Sequence, residues 1–126
     1  MPITFSVDRA ARKVHARAEG PITVEDIRVH LEHERATSGL SYSELIDARG
    51  YIPAFSAAEV RHIVDILRRL AEGSRLGPTA VVVDSDLGYG MMRMLEILVG
   101  DVCDVRPFRQ PEEGEQWLAA VSQGGA

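Results

Sequence analysis

Cys103 is the one cysteine in the 126 residues. An intrachain disulfide is therefore excluded, and with it the small secreted scaffold held by bridges. Basic charge is also short: 14 Lys and Arg stand against 19 Asp and Glu, a net charge of −5. A protein held mainly by phosphates needs a basic face, so no nucleic-acid partner is expected. The same balance argues against an anionic membrane surface. Long apolar runs are missing. The richest stretch, 91–99, is interrupted by Arg93 and Glu96 and is too short to span a bilayer, so no membrane insertion is expected. The opening MPITFSVDR has no signal-peptide core, and a cytoplasmic protein is the expectation. Dinucleotide and P-loop fingerprints are absent. So are internal repeats, low-complexity tracts and an interdomain linker. The expectation is one domain over residues 1–126, long enough for a full core. The hydrophobic share of 45% and charged share of 26% fit an ordinary globular chain.

What is present alternates regularly. Ile3, Phe5 and Val7 interleave with Thr4 and Ser6, and Val14, Ala16 and Ala18 interleave with Lys13, His15 and Arg17. These predict two half-buried strands in an antiparallel hairpin. Gly20-Pro21 breaks the sheet. Thr23 and Asp26 have capping-box spacing ahead of a helix to about residue 36. Val24, Ile27 and Leu31 mark its inner face, and Gly39 is its C-terminal stop. His30 and His33, beside Glu34, read as solvated, because a metal would need a third ligand and none is indicated. Residues 43–47 predict a central strand, with Leu45 and Ile46 on opposite faces. A loop over 48–55 follows, then a second helix capped by Ser56 and Glu59 and ending near Gly73. Its Arg61, Arg68 and Arg69 read as a wet face paired with Asp65 and Glu72. A last strand is expected over 102–108, with Cys103 buried in it. Pro111, Glu112 and Glu113 start a terminal helix anchored by Trp117, Leu118 and Val121, with fraying over 122–126.

The chain is organised around 79–99, TAVVVDSDLGYGMMRMLEILV. A buried strand runs into a glycine-bearing turn and a helix, the place where α/β sheets tend to hold a ligand. In a parallel sheet the strand C-termini share one edge. That edge gathers Asp47, Arg49 and Tyr51 with Asp84, Ser85, Asp86, Gly88, Tyr89, Gly90 and Arg93, and also Arg109. Two readings stand for the glycines. They bring backbone N–H groups close to an anion, helped by Arg49, Arg93 and Arg109, or they only permit the turn. Asp47, Asp84 and Asp86 suit a hard cation if they converge. The simpler reading makes Asp86 or Ser85 a helix cap, and no metal or cofactor is assigned. The third helix carries Met91, Met92, Met94, Leu95 and Leu98, more apolar surface than one buried face needs. An interface with a second copy or a protein partner is expected there.

The exit LIDARG at 45–50, the run SDLGYGMMRM at 85–94 and the ending VRPFRQPEEGEQWL at 105–118 resemble the STAS-like superfamily. Within it they are similar to the small bacterial SpoIIAA-like proteins, which share the anti-sigma factor antagonist fold. The resemblance implies an α/β single-domain fold, β-β-α-β-α-β-α-β-α, with a mostly parallel five-stranded sheet and an N-terminal antiparallel hairpin. In antagonists of this fold a serine at the start of the helix after the third strand is phosphorylated. Ser56 falls at that place, but Phe55 stands where those proteins carry Asp. An N-cap is the simpler role for Ser56.

The functional reading is a noncatalytic regulatory module that binds a protein or a small anionic or apolar ligand. The alternatives are a metal- or anion-dependent enzyme using the Asp47 and 84–90 edge, and a small lipid carrier. No nucleophile–base pair supports the enzyme.

Overall fold

The computed structural model describes residues 2–37 and 40–124, with side chains through Val121. The predicted hairpin forms β1 (Ile3–Asp8) and β2 (Lys13–Ala18), paired antiparallel from Ile3 opposite Ala18 to Asp8 opposite Lys13. The sheet continues in parallel through β4 (Ser43–Asp47), β6 (Thr79–Val82) and β7 (Val105–Phe108), in the order β1-β2-β4-β6-β7. The expected architecture is thus observed, with β4 at its centre.

Strand alternation decides what each face receives. Glu44 and Ile46 of β4, Thr79 and Val81 of β6, and Val105 of β7 face one layer. That layer consists of α1 (Val24–Ala36), α2 (Val60–Ala71) and α3 (Asp86–Val99), packed side by side. Leu45, Ala80 and Phe108 face the other side, where α4 (Pro111–Gly124) lies alone. Gly114 brings α4 close: a Cβ there would stand 3.0 Å from Leu45 and 3.3 Å from Ala80. Trp117 packs its ring 5.7 Å from Phe108. The β1–β2 half of this face keeps Thr4, Ser6, His15 and Arg17 exposed, as their polar alternation requires.

Several boundaries differ from expectation. The Gly20-Pro21 break and the 48–55 loop each contain a short strand, β3 (Gly20–Ile22) and β5 (Tyr51–Pro53). They pair in parallel as a separate two-stranded ribbon. The Gly20 N–H donates to Gly50 O at 3.0 Å and the Ala54 N–H to Ile22 O at 2.8 Å. Three-residue strands show no readable alternation, and each proline tolerates an edge position. The Thr23–Asp26 capping box forms as predicted. Ser56 and Glu59 exchange hydrogen bonds at 2.9 and 3.2 Å, but they close a lead-in turn, and α2 proper begins at Val60. β7 starts at Val105, because Val102 and Cys103 turn back onto α3 by donating to Val99 O. The stop at Gly39 lies outside the described residues. So does the end of the frayed tail expected over 122–126, where α4 is described to Gly124.

Gly77 admits no side chain. A Cβ there would sit 2.0 Å from the backbone oxygen of Tyr42, and its N–H donates to Leu40 O at 2.9 Å. Backbone cannot swing away as a side chain can. Gly77→Ala is expected to cost about 2–3 kcal/mol and lower the thermal midpoint on the order of 10 °C. Differential scanning calorimetry checks this.

Candidate functional site

The edge at the strand C-termini assembles where expected, and its polar groups turn largely on one another. Asp47 takes Arg49 in a two-pronged pair at 2.8 and 2.9 Å, which holds its carboxyl below the usual carboxylate range. Asp84 accepts the Gly50 N–H at 3.0 Å. Ser85 caps α3 by accepting the Gly88 N–H at 3.0 Å. The buried Tyr51 hydroxyl donates to Gly88 O at 3.0 Å. Asp86 pairs with Arg109 at 2.8 Å, and that guanidinium lies 4.6 Å over the Tyr89 ring. Arg93 turns away to Glu96 at 2.7 Å. Gly90 is exposed with open space where a Cβ would stand. Gly88 has none: a Cβ would come 2.7 Å from the Tyr51 ring. The glycine thus lets Tyr51 pack against the start of α3. The three aspartates go to three different partners and do not converge as a cation site.

The helix behind the loop is better covered than its composition suggests. Met92 and Leu95, expected at an interface, are buried in the core of the chain itself. Met91, Met94 and Leu98 are half-buried against it. Leu87 and Ile97 remain open, at 59% and 73% exposure. Ser56 is exposed and bonded to Glu59. Phe55 before it is buried and lines the interior, which explains an aromatic residue at that position. Cys103 is buried as predicted. Burial pushes its thiol up to about 12, so it holds its proton at neutral pH.

The most unusual chemistry lies inside. His30 and Glu34 of α1 are almost wholly buried, and so is Glu44 of β4, with exposures of 4%, 2% and 4%. This corrects the reading of His30 as solvated; His33, one turn on, is exposed. His30 Nε2 lies 3.0 Å from Glu44 Oε2 and in contact with Glu34 Oε1. The contact with Glu34 lacks hydrogen-bond geometry, and both Glu34 Oε1 and His30 Nδ1 have no partner. Phe5 sets its ring edge-to-face on the imidazole at 5.2 Å. Burial alone pushes the His30 pKa down, but the two carboxylates outweigh it and raise it to about 10. Burial raises Glu44 to about 8, against the opposing pull of His30. Among the described residues, these three form the one group of His, Cys, Asp or Glu that comes within reach of a single metal ion.

The cluster stands at the wall of a cavity of about 110 Å³ between the sheet and the three helices. Apart from His30, Glu44, Thr79 and Cys103, its lining is apolar or aromatic. Ile46, Val81 and Val105 form the floor, Leu31, Leu67 and Met92 the roof, and Ile22, Tyr51 and Phe55 one end. Sequence reasoning missed this site, although two signals marked it. Ile27, His30, Leu31 and Glu34 share one helical stripe, and Glu44 shares a strand face with Ile46.

The folded cluster holds its protons more tightly than the unfolded chain. Below the unfolded values of 4.5 for Glu44 and 6.5 for His30, both states are protonated and the contribution is complete. As pH rises, it is lost, first through the Glu44 window up to about 8 and then through the His30 window up to about 10. Each held proton gives a slope of at most about 1.4 kcal/mol per pH unit. Thermal midpoints in chelating buffer are therefore expected to fall from pH 5 to pH 9. Glu44→Gln should flatten the acid half of that decline.

No protein-family model and no curated protein matches the chain. Among solved structures it is similar to an uncharacterised protein of the DUF3478 family with a SpoIIAA-like fold, from Shewanella loihica PV-4. The two share 18% identity over 92% of this chain and 93% of that one, with a TM-score of 0.60. At that identity the likeness carries architecture alone: the chain has a SpoIIAA-like fold.

Proposed function

We propose that the chain is a noncatalytic module that binds a small apolar ligand in the cavity beneath α1, α2 and α3. The observation that carries this reading is the cavity itself, about 110 Å³ of mostly apolar space in a domain of this size. Left empty, such a volume costs roughly 2–3 kcal/mol. Apolar cavities of similar size stay dry and accept compact molecules such as benzene. The edge, by contrast, offers an incoming anion few unengaged groups, which weakens the enzyme alternative. A bulky lipid exceeds the space, so the ligand is a compact ring or short chain.

The test is a thermal-shift titration with benzene, indole and short alcohols. Wild type is expected to gain a few degrees with at least one of them. Ala48→Leu, which places its side chain in the cavity, is expected to remain folded and lose the gain. If no compact apolar probe moves the wild-type midpoint, the reading fails.

A second reading is a contact between copies over α3. Exposed Leu87 and Ile97 support it, flanked by half-buried Met91, Met94 and Leu98. Sedimentation at micromolar concentration is expected to show a dimer that Ile97→Glu dissociates. A monomer throughout removes this reading.

A further inference from the structure

We propose that His30, Glu34 and Glu44 form a buried binding site for one divalent first-row transition-metal ion of the zinc class. Three observations converge. The first is donor placement. The ligand atoms all lie within 4.8 Å of one another, and His30 Nε2 and Glu44 Oε2 are 3.0 Å apart. Metal–ligand bonds of about 2.0–2.2 Å put the donors of a tetrahedral ion roughly 3.3 Å apart, so small side-chain movements suffice. The second is an unpartnered buried acceptor. A single Nε2–H can serve one carboxylate. Glu44 has it, while Glu34 Oε1 is packed against the same nitrogen with no hydrogen bond. Such an orphaned buried oxygen is costly. A cation at this point satisfies all three atoms at once. The third is charge. Once the protons it holds are displaced, the cluster's two carboxylates and neutral imidazole carry −2, and a divalent ion takes the protons' place in keeping the buried cluster neutral.

The mixed donor set selects the ion. Imidazole favours zinc-class metals over magnesium or calcium, and the carboxylates keep the site hard enough for Mn²⁺ or Fe²⁺ to compete. The space for a further ligand lies on both sides. The main cavity borders His30 and Glu44, and a second recess of about 20 Å³ borders Glu34 and Glu44. That recess has room for one water. His30 Nδ1 lacks the outer hydrogen bond that usually orients a metal-binding imidazole. Affinity is therefore expected about 10–100-fold below that of a site with such a partner. Loading displaces the protons the cluster holds, so binding tightens as pH rises.

The experiment must separate this site from surface histidines. The chain has four histidines, and His15, His33 and His62 are exposed. A His15→Gln, His33→Gln, His62→Gln triple variant leaves His30 alone and touches nothing buried. Both it and wild type are stripped with chelator, loaded with Zn²⁺ or Co²⁺, desalted, and measured by elemental analysis and Co²⁺ visible absorption. About one retained ion per chain is expected in both, with the absorption of low-coordinate Co²⁺. At a hundredfold excess over the Kd, the thermal midpoint should rise roughly 10 °C. Glu44→Gln and Glu34→Gln, checked for folding by circular dichroism, should each lose retention. No retained ion in wild type, or retention lost in the triple variant, overturns the proposal. Retention unchanged in a folded Glu44→Gln chain overturns it as well.

Discussion

A carboxylate on the middle strand of a parallel sheet cannot be left alone. β4 is flanked by β2 and β6 and covered on both faces, so whatever it points inward must be answered from the layer above. Leu45 and Ile46 are answered by apolar packing. Glu44 is answered by His30 and Glu34, spaced one turn apart on α1, and this fixes which face of α1 meets the sheet. A helix set by a polar contact does not interdigitate as leucines would. The cavity lies directly beside that contact. The buried cluster and the adjoining space are thus two sides of one constraint.

The loops at the strand C-termini follow a different logic. There each charged or donor group is matched locally: Asp47 with Arg49, Asp84 with the Gly50 backbone, Asp86 with Arg109. These pairs are exposed, and pairs of that kind contribute little to stability. Their work is geometric. Asp47 and Arg49 brace the turn after β4, Asp84 fixes that turn against the one after β6, Asp86 ties the start of α3 to the segment after β7, and Tyr51 completes the joint by donating into the first turn of α3. Gly88 is required there because the phenol ring occupies the space of its missing side chain.

Most of the architecture was legible in the sequence because periodicity reports burial. The 2-residue alternation of β1 and β2, the central strand at 43–47 and the capping signals at Thr23 and Pro111 all transfer directly. The ribbon of β3 and β5 was not legible, since three residues cannot display a period. The edge residues were placed together, but their mutual pairing depends on contacts across 23–34 residues of chain. The buried cluster was misread for a related reason. His30 and Glu34 look wet when the helix is read alone. Only Glu44, 14 residues beyond His30, gives them a reason to face inward.

On the proposed function, the ribbon of β3 and β5 has a kinetic consequence. It ties the segment leaving β2 to the segment leaving β4, and Ile22, Ala48, Tyr51 and Phe55, in or beside it, wall one end of the cavity. A molecule leaving the cavity by that end must first part the ribbon, whose hydrogen bonds hold both segments as one flap. Occupancy and turnover of the cavity are then separable. On the proposed function, packing would set how tightly a guest sits, and the opening rate of the six-residue ribbon would set how long it stays.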